Sequence, residues 1–128
     1  MEMAETLAHR RLWSAIGLAL VAFVIFQSLA PAPLEVEVGS GNLGGHLVAY
    51  GTLMLWHCQL HHGGRRPLLA LALIAMGLAL EFLQGMTDYR TFDLRDALAN
   101  TGGIAIGWLL APPRLPNFLA RAERLLRP

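Results

Sequence analysis

Residues 67–84, PLLALALIAMGLALEFLQ, form an almost unbroken apolar run whose last turns hold Glu81 and Gln84. A helix needs about 17–25 predominantly apolar residues to cross a bilayer, so this run is long enough to be a membrane span. A carboxylate at the end of such a run is energetically costly unless it has a partner or a function. The run therefore predicts a membrane fold and, at one end of it, a polar site.

Three more apolar runs accompany this one, over residues 12–30, 43–60 and 96–111. Prolines follow the first and the last run, and consecutive prolines cannot continue a helix. The 128 residues are 55% hydrophobic and only 15% charged, whereas about a quarter is charged in a typical soluble domain. We therefore predict an all-α, polytopic membrane protein, with a four-helix transmembrane bundle in residues 1–111 and a cytoplasmic tail in residues 112–128.

The placement of arginine predicts the orientation. The chain has ten arginines and no lysine, and short cytoplasmic loops are enriched in these residues. Eight arginines precede the first run, separate the second from the third or follow the fourth, and only Arg90 and Arg95 lie on the other side. We predict a multi-pass inner-membrane protein with a cytoplasmic N-terminus and C-terminus. Cleavage of the first run as a signal peptide is the alternative, although its apolar core exceeds the usual length of about 7–15 residues.

Two segments outside the spans have regular patterns. Residues 34–38, LEVEV, alternate with the period of a strand and predict an extended segment at the outer surface. In the tail, apolar residues recur at helical spacing from Leu115 to Leu126, with arginines on the other faces. That pattern predicts an amphipathic interfacial helix on the cytoplasmic leaflet.

In this topology the polar side chains of three spans lie at one depth. Residues spaced by three or four share a helix face, and polar faces within membranes point into the bundle or a wet cavity. The pairs are His46 with Tyr50, Glu81 with Gln84, and Asp96 with Asn100, while Arg90 and Asp93 lie in the connecting loop. We predict a polar pocket that opens to the outer surface.

These residues allow structural and chemical interpretations. Glu81 is a buried structural acid, paired with Arg90 or hydrogen-bonded to Gln84 or Tyr50, or else it is a general base or metal ligand in the pocket. Asp93 suits the N-cap of the fourth helix, and Asp96 lies in its first turn, where a negative charge also suits the helix dipole. His46 is a candidate proton relay. We predict neither a metal site nor another cofactor, since no ligand spacing on this side supports one.

Two other motifs are better explained by structure than by chemistry. His57, Cys58 and His61 resemble metal ligands in spacing, but they end the second span, where Trp and His suit the membrane interface. Gly103-x-x-x-Gly107 is typical of close helix contact, either within the bundle or between copies in a homo-oligomer.

The polar residues also resemble those of a known family. The segment from His46 to Tyr50, then Glu81-x-x-Gln84 and Arg90-x-x-Asp93-x-x-Asp96-x-x-x-Asn100-x-x-Gly103, looks like the VanZ-like family. These are small bacterial membrane proteins associated with glycopeptide (teicoplanin) resistance. The chain departs from the family at Asn42-Leu43, where an Asp-Lys pair is frequent, and at Leu80, where an Asp is frequent.

The resemblance and the predicted pocket together suggest a role at the cell envelope. We expect recognition or modification of a membrane lipid or envelope precursor at the outer leaflet, and no nucleic-acid partner. Arg90 would bind an anionic head group, Glu81 or Asp96 would transfer protons and His46 would relay them. The expected binding residues around them are Asp93, Gln84, Asn100 and Tyr50. The alternatives are a non-enzymatic scaffold whose polar cluster is structural, and a small transporter-like oligomer.

Overall fold

The computed structural model describes residues 6–31, 43–61, 63–89 and 91–127. In these ranges it contains five α-helices and no strand, which confirms the all-α prediction. The helices are α1 (Arg10–Leu29), α2 (Leu43–Leu60), α3 (Arg66–Gly85), α4 (Leu94–Leu110) and α5 (Phe118–Leu126). The first four match the predicted spans to within two residues at each end. The segment 34–38 and Arg90 lie outside the described residues.

Two parts of the fold are long and apolar enough to cross a membrane, namely α1 and the helical segment Gly63–Gly85. The 17-residue α4 is shorter than these, and α2 carries His46, His57 and Gln59 among its apolar residues. Large apolar side chains on α1 and α3 face outward, including Leu18, Phe26 and Leu68 at 66–69% exposure. An exposed apolar surface of this kind marks contact with a membrane or another protein.

Glycine brings α2 and α4 into direct backbone contact. A Cβ atom on Gly107 would lie 2.5 Å from the Gly51 carbonyl oxygen, and one on Gly103 would collide with the Leu47 carbonyl oxygen. Such close approach is possible only where the side chain is absent. The prediction that Gly103-x-x-x-Gly107 mediates helix contact is confirmed, and the contact lies within the bundle. A Cβ on Gly102, in contrast, would meet nothing within 4 Å.

The hydrophobic core follows from this contact. α2 packs chiefly against α4, while α1 and α3 pack on its other sides. Leu53 and Met54 are almost completely buried, and they share one cluster with Leu73 of α3 and Ile104 of α4. α2 is therefore the central helix, which explains why it tolerates polar residues that a lipid-facing helix does not.

The tail helix α5 packs on the bundle. Leu119 and Ala120 are buried against Leu7 and Leu60, and Leu125 and Leu126 are 78% and 77% exposed. The predicted amphipathic helix is therefore present, but one of its faces contacts protein. Two bonds hold its first turn to the end of α2: the Phe118 N–H donates to Gln59 Oε1, and Asn117 Nδ2 donates to the Gln59 carbonyl oxygen, each at 3.0 Å.

Candidate functional site

A set of polar residues joins α2, α3 and the start of α4 at one end of the bundle. We call it the polar cluster, and its members are His46, Tyr50, Glu81, Asp93, Asp96 and Asn100. Glu81, Tyr50 and Asn100 are 1–3% exposed. The sequence predicted that these residues share one depth, and the structure brings them together. Buried polar groups of this kind need internal partners, because desolvation without a hydrogen bond is costly.

His46 is the centre of the polar cluster. Its Nδ1 lies 2.9 Å from Asn100 Oδ1, and its Nε2 lies 3.4 Å from Asp96 Oδ2. Both neighbours are oxygen acceptors. The donor and acceptor roles of the two ring nitrogens depend on the tautomer. His46 thus bridges a carboxylate and an amide that lie one turn apart on α4.

Glu81, on α3, forms a hydrogen bond with the backbone at the start of α4. Its Oε1 accepts the backbone N–H of Asp93 at 2.7 Å, and its carboxylate interacts electrostatically with His46 and Asp96. A carboxylate near the N-terminus of a helix is also favoured by the helix dipole. Glu81 therefore has a structural partner, yet it lies within the electrostatic range of the two groups best placed to exchange protons.

Asp93 is the N-cap of α4, as predicted. Its Oδ1 accepts the Arg95 backbone N–H at 2.9 Å, and its carboxylate pairs with the Arg95 guanidinium at 3.2 Å. These hydrogen bonds, from the Arg95 side chain first and then its backbone N–H, hold the pKa of the Asp93 carboxyl below its usual range. The Arg95 side chain is 77% exposed, so this pair is at the surface of the cluster and its energetic contribution is small.

Gln84 has a different environment from the one expected. Its Nε2 donates to the Ser28 carbonyl oxygen at 2.6 Å, and the Tyr89 hydroxyl donates to the Leu29 carbonyl oxygen at 2.8 Å. Both bonds end on the last turn of α1. Gln84 therefore joins α3 to α1, and its expected role in ligand binding remains a prediction.

Gly77 is the residue of this site that sequence reasoning missed. A Cβ at this position would lie 2.9 Å from Asn100 Nδ2 and 3.3 Å from the Tyr50 ring. The absence of a side chain on α3 thus leaves room for the Asn100 amide between the helices. In the sequence, Gly77 could be recognised only as a single glycine in an apolar run. It lies four residues before Glu81, so Gly77 and Glu81 share a helix face.

Part of the polar cluster is accessible to the surroundings, and part is enclosed. The His46 and Asp96 side chains are 20% and 19% exposed, whereas Glu81 and Asn100 are enclosed. A ligand at this end of the bundle could therefore reach His46 and Asp96, as well as the more exposed Asp93–Arg95 pair. Such an arrangement suits proton transfer or hydrogen bonding to a polar head group.

The histidines and the cysteine near the other end of α2 have structural contacts. His57 Nε2 lies 3.3 Å from the Gly17 carbonyl oxygen of α1, the His57 and His61 rings stack at 6.4 Å, and Cys58 is buried. Across the part of the chain that the structure describes, no group of three or more His, Cys, Asp or Glu side chains is placed to hold a metal ion.

Fold and site together define a class: a small helical membrane protein with a polar cluster enclosed at one end of its bundle. Comparison with protein families identifies the family within this class, because the VanZ/LLP1 family model matches residues 5–119. The chain belongs to the VanZ/LLP1 family, which confirms the resemblance seen in the polar residues. Neither a curated protein nor a solved structure matches the chain.

Proposed function

We propose that this VanZ/LLP1 protein recognises or modifies a cell-envelope amphiphile at the outer leaflet of the inner membrane. Four spans and cytoplasmic termini belong to the proposal, as does the link to glycopeptide resistance that the family resemblance implies. The observation that supports it best is the His46–Asp96 pair, half-open at the edge of the polar cluster, with Glu81 buried behind it. A cluster built only for packing has little need of a solvent-accessible histidine–aspartate pair.

The roles follow from position. His46, held between Asp96 and Asn100, is placed to hydrogen-bond a polar head group and to relay a proton. Glu81 is the proton acceptor within the cluster, with His46 as the relay, and Asp96 is the accessible carboxylate beside His46. Arg90, which lies outside the described residues, is proposed as the cation that binds an anionic head group.

A non-enzymatic scaffold is the second candidate function. It is favoured by the hydrogen bond from the Asp93 N–H to Glu81 and by the bond between His46 and Asn100. These bonds connect α2, α3 and α4, and a purely structural cluster would make the same connections. The two candidate functions differ in whether the protein needs the ionisable carboxyl group of Glu81 for its activity or only needs the side chain as a hydrogen-bond acceptor.

Glu81→Gln separates them, because the amide oxygen can still accept the Asp93 N–H while the charge is lost. We expect this variant to be produced at the wild-type level with a similar melting temperature. We expect the expression-dependent changes in envelope lipids and teicoplanin susceptibility to disappear, since an acid–base group typically contributes about 10²–10⁴-fold to rate. Lipid-resolved mass spectrometry and susceptibility assays of expressing cells measure these effects.

Glu81→Leu is the matched control, because it removes the acceptor as well as the charge. It should reduce folded protein under either candidate function, since the Asp93 N–H loses its partner. A Glu81→Gln protein that is stable and as active as the wild type would contradict the chemical role and support the scaffold.

A further inference from the structure

A cavity of about 190 Å³ lies between the second half of α2, the loop before α5 and the first turn of α5. The loop and helix that line it contact the end of α2 at Gln59, whereas His46 lies in the first turn of α2. The cavity is lined by Leu55, Leu115, Pro116, Phe118 and Arg121. Its wall is therefore apolar except for one guanidinium, and Arg121 is exposed to the surroundings. Such a site suits a ligand with a hydrocarbon part and an anionic part.

The surface around this cavity is strongly basic. Arg114 and Arg127 are exposed on the same segment, and Arg10 and Arg11 are exposed at the start of α1, which α5 contacts. Among the described residues at this end, the single acid is Glu123, and it is buried with three hydrogen bonds to its carboxylate. The charge complementarity thus favours an anion over a cation or a neutral head group.

The same helix also has the features of a membrane-surface helix. Leu125 and Leu126 are exposed, and arginines occupy neighbouring positions, as in helices that lie in the lipid interface. Basic pockets between helices at the membrane surface bind anionic head groups. We propose that an anionic phospholipid binds here, with its phosphate on Arg121 and an acyl chain against Leu55 and Phe118. This site is independent of the polar cluster and of the function proposed for it.

Native mass spectrometry of the delipidated, full-length protein in detergent tests the site. Phosphatidylglycerol and phosphatidylcholine with the same acyl chains are added in equal amounts, and the singly bound species are compared. We expect phosphatidylglycerol to bind preferentially. Arg121→Gln should weaken its binding about fivefold, the value that corresponds to one basic residue near an anionic lipid surface. Arg121→Lys should retain most of it.

Two further variants distinguish binding inside the cavity from attraction to the basic surface around it. Leu55→Phe adds volume without a change in charge and should lower phosphatidylglycerol binding, while Arg65→Gln removes an exposed arginine that does not line the cavity and should have little effect. Equal binding of the two lipids by the wild type would overturn the proposal. Phosphatidylglycerol binding that is unchanged in Arg121→Gln or Leu55→Phe would also overturn it. A loss of binding in Arg65→Gln equal to that in Arg121→Gln would overturn it too, because it would indicate non-specific electrostatic attraction to the basic surface.

Discussion

Three hydrogen bonds converge on the carboxylate of Glu123. The backbone N–H groups of Ala8 and His9 donate to it at 2.8 and 2.7 Å, and the Trp13 indole N–H donates at 2.8 Å. The N-cap of α1, His9, makes no side-chain capping bond, so Glu123 supplies from α5 the acceptor that α1 lacks locally. A single side chain therefore joins the two ends of the described chain.

The protonation of Glu123 should be visible in the pH dependence of stability. Burial raises the pKa of this carboxyl, but hydrogen bonds from His9, Ala8 and Trp13 outweigh that effect and leave its pKa below the usual range. A carboxyl whose pKa is lower in the folded state stabilises the protein above its ordinary pKa, and that stabilisation is lost as the pH falls through the lowered value. We expect the melting temperature to fall on acidification below about pH 4.

Glu123→Gln is the variant that checks this prediction. It should melt at a lower temperature than the wild type at neutral pH, and the difference should shrink as the pH is lowered through the acidic range. Thermal melts in detergent at several pH values measure it. A constant difference between the two proteins at every pH would show that the charge of Glu123 is not responsible.

Helix contacts show how glycine determines packing at the scale of the element. Gly51, Gly103 and Gly107 let the α2 and α4 backbones touch, and this contact sets the distance at which the side chains of the polar cluster meet. Gly17 leaves room between α1 and α2 for side chains and not for backbone, because a Cβ there would lie 2.9 Å from the rings of Trp56 and His57.

Adjacent glycines in α4 provide an experiment with an internal control. In Gly103→Ala the new methyl group collides with the Leu47 carbonyl oxygen, and overpacking of this kind costs about 1–3 kcal/mol. In Gly102→Ala the methyl group meets nothing within 4 Å, and alanine stabilises a helix by about 0.5–1 kcal/mol relative to glycine. We expect the melting temperatures to rank Gly102→Ala at or above the wild type and Gly103→Ala below it. The opposite order would contradict the α2–α4 contact.

At the scale of the whole molecule, the distribution of arginine bears on which end of the helix bundle faces the outer side of the membrane. Arginine is concentrated at the end that holds α5, and the polar cluster lies at the other end. The proposed orientation therefore places the cluster at the outer surface. Cys58, the natural thiol, is 2% exposed, so it cannot report its side of the membrane to a thiol reagent.

Engineered cysteines in a Cys58→Ser background measure the orientation instead. Met86 follows α3 and is 71% exposed, and Gly63, between α2 and α3, has open space at its Cβ. We expect an impermeant maleimide to label Met86→Cys in intact spheroplasts, and to label Gly63→Cys only after permeabilisation. The reverse pattern would place the polar cluster in the cytoplasm and remove the proposed outer-leaflet substrate.

Much of the fold could be read from local pattern. Apolar runs bounded by prolines and arginines set the ends of the four long helices, and a side-chain acceptor followed by helix-forming residues identified Asp93 as a cap. The convergence of His46, Glu81, Asp96 and Asn100 was predictable because helix periodicity places paired residues on one face, and antiparallel neighbouring helices bring those faces to one end of the bundle. The family was also recognisable from these spacings.

Other features depend on which helix lies beside which, and no local pattern encodes that. Gln84 binds α1 because α3 passes the end of α1, and α5 packs on the bundle because the buried carboxylate of Glu123 finds donors at the start of α1. The sequence by itself determined the helices, the Asp93 cap and the helix face that each polar residue occupies, since these depend on neighbours along the chain. Tertiary structure alone decided the partners of those residues, because a buried polar group binds whichever donor or acceptor packing brings to it.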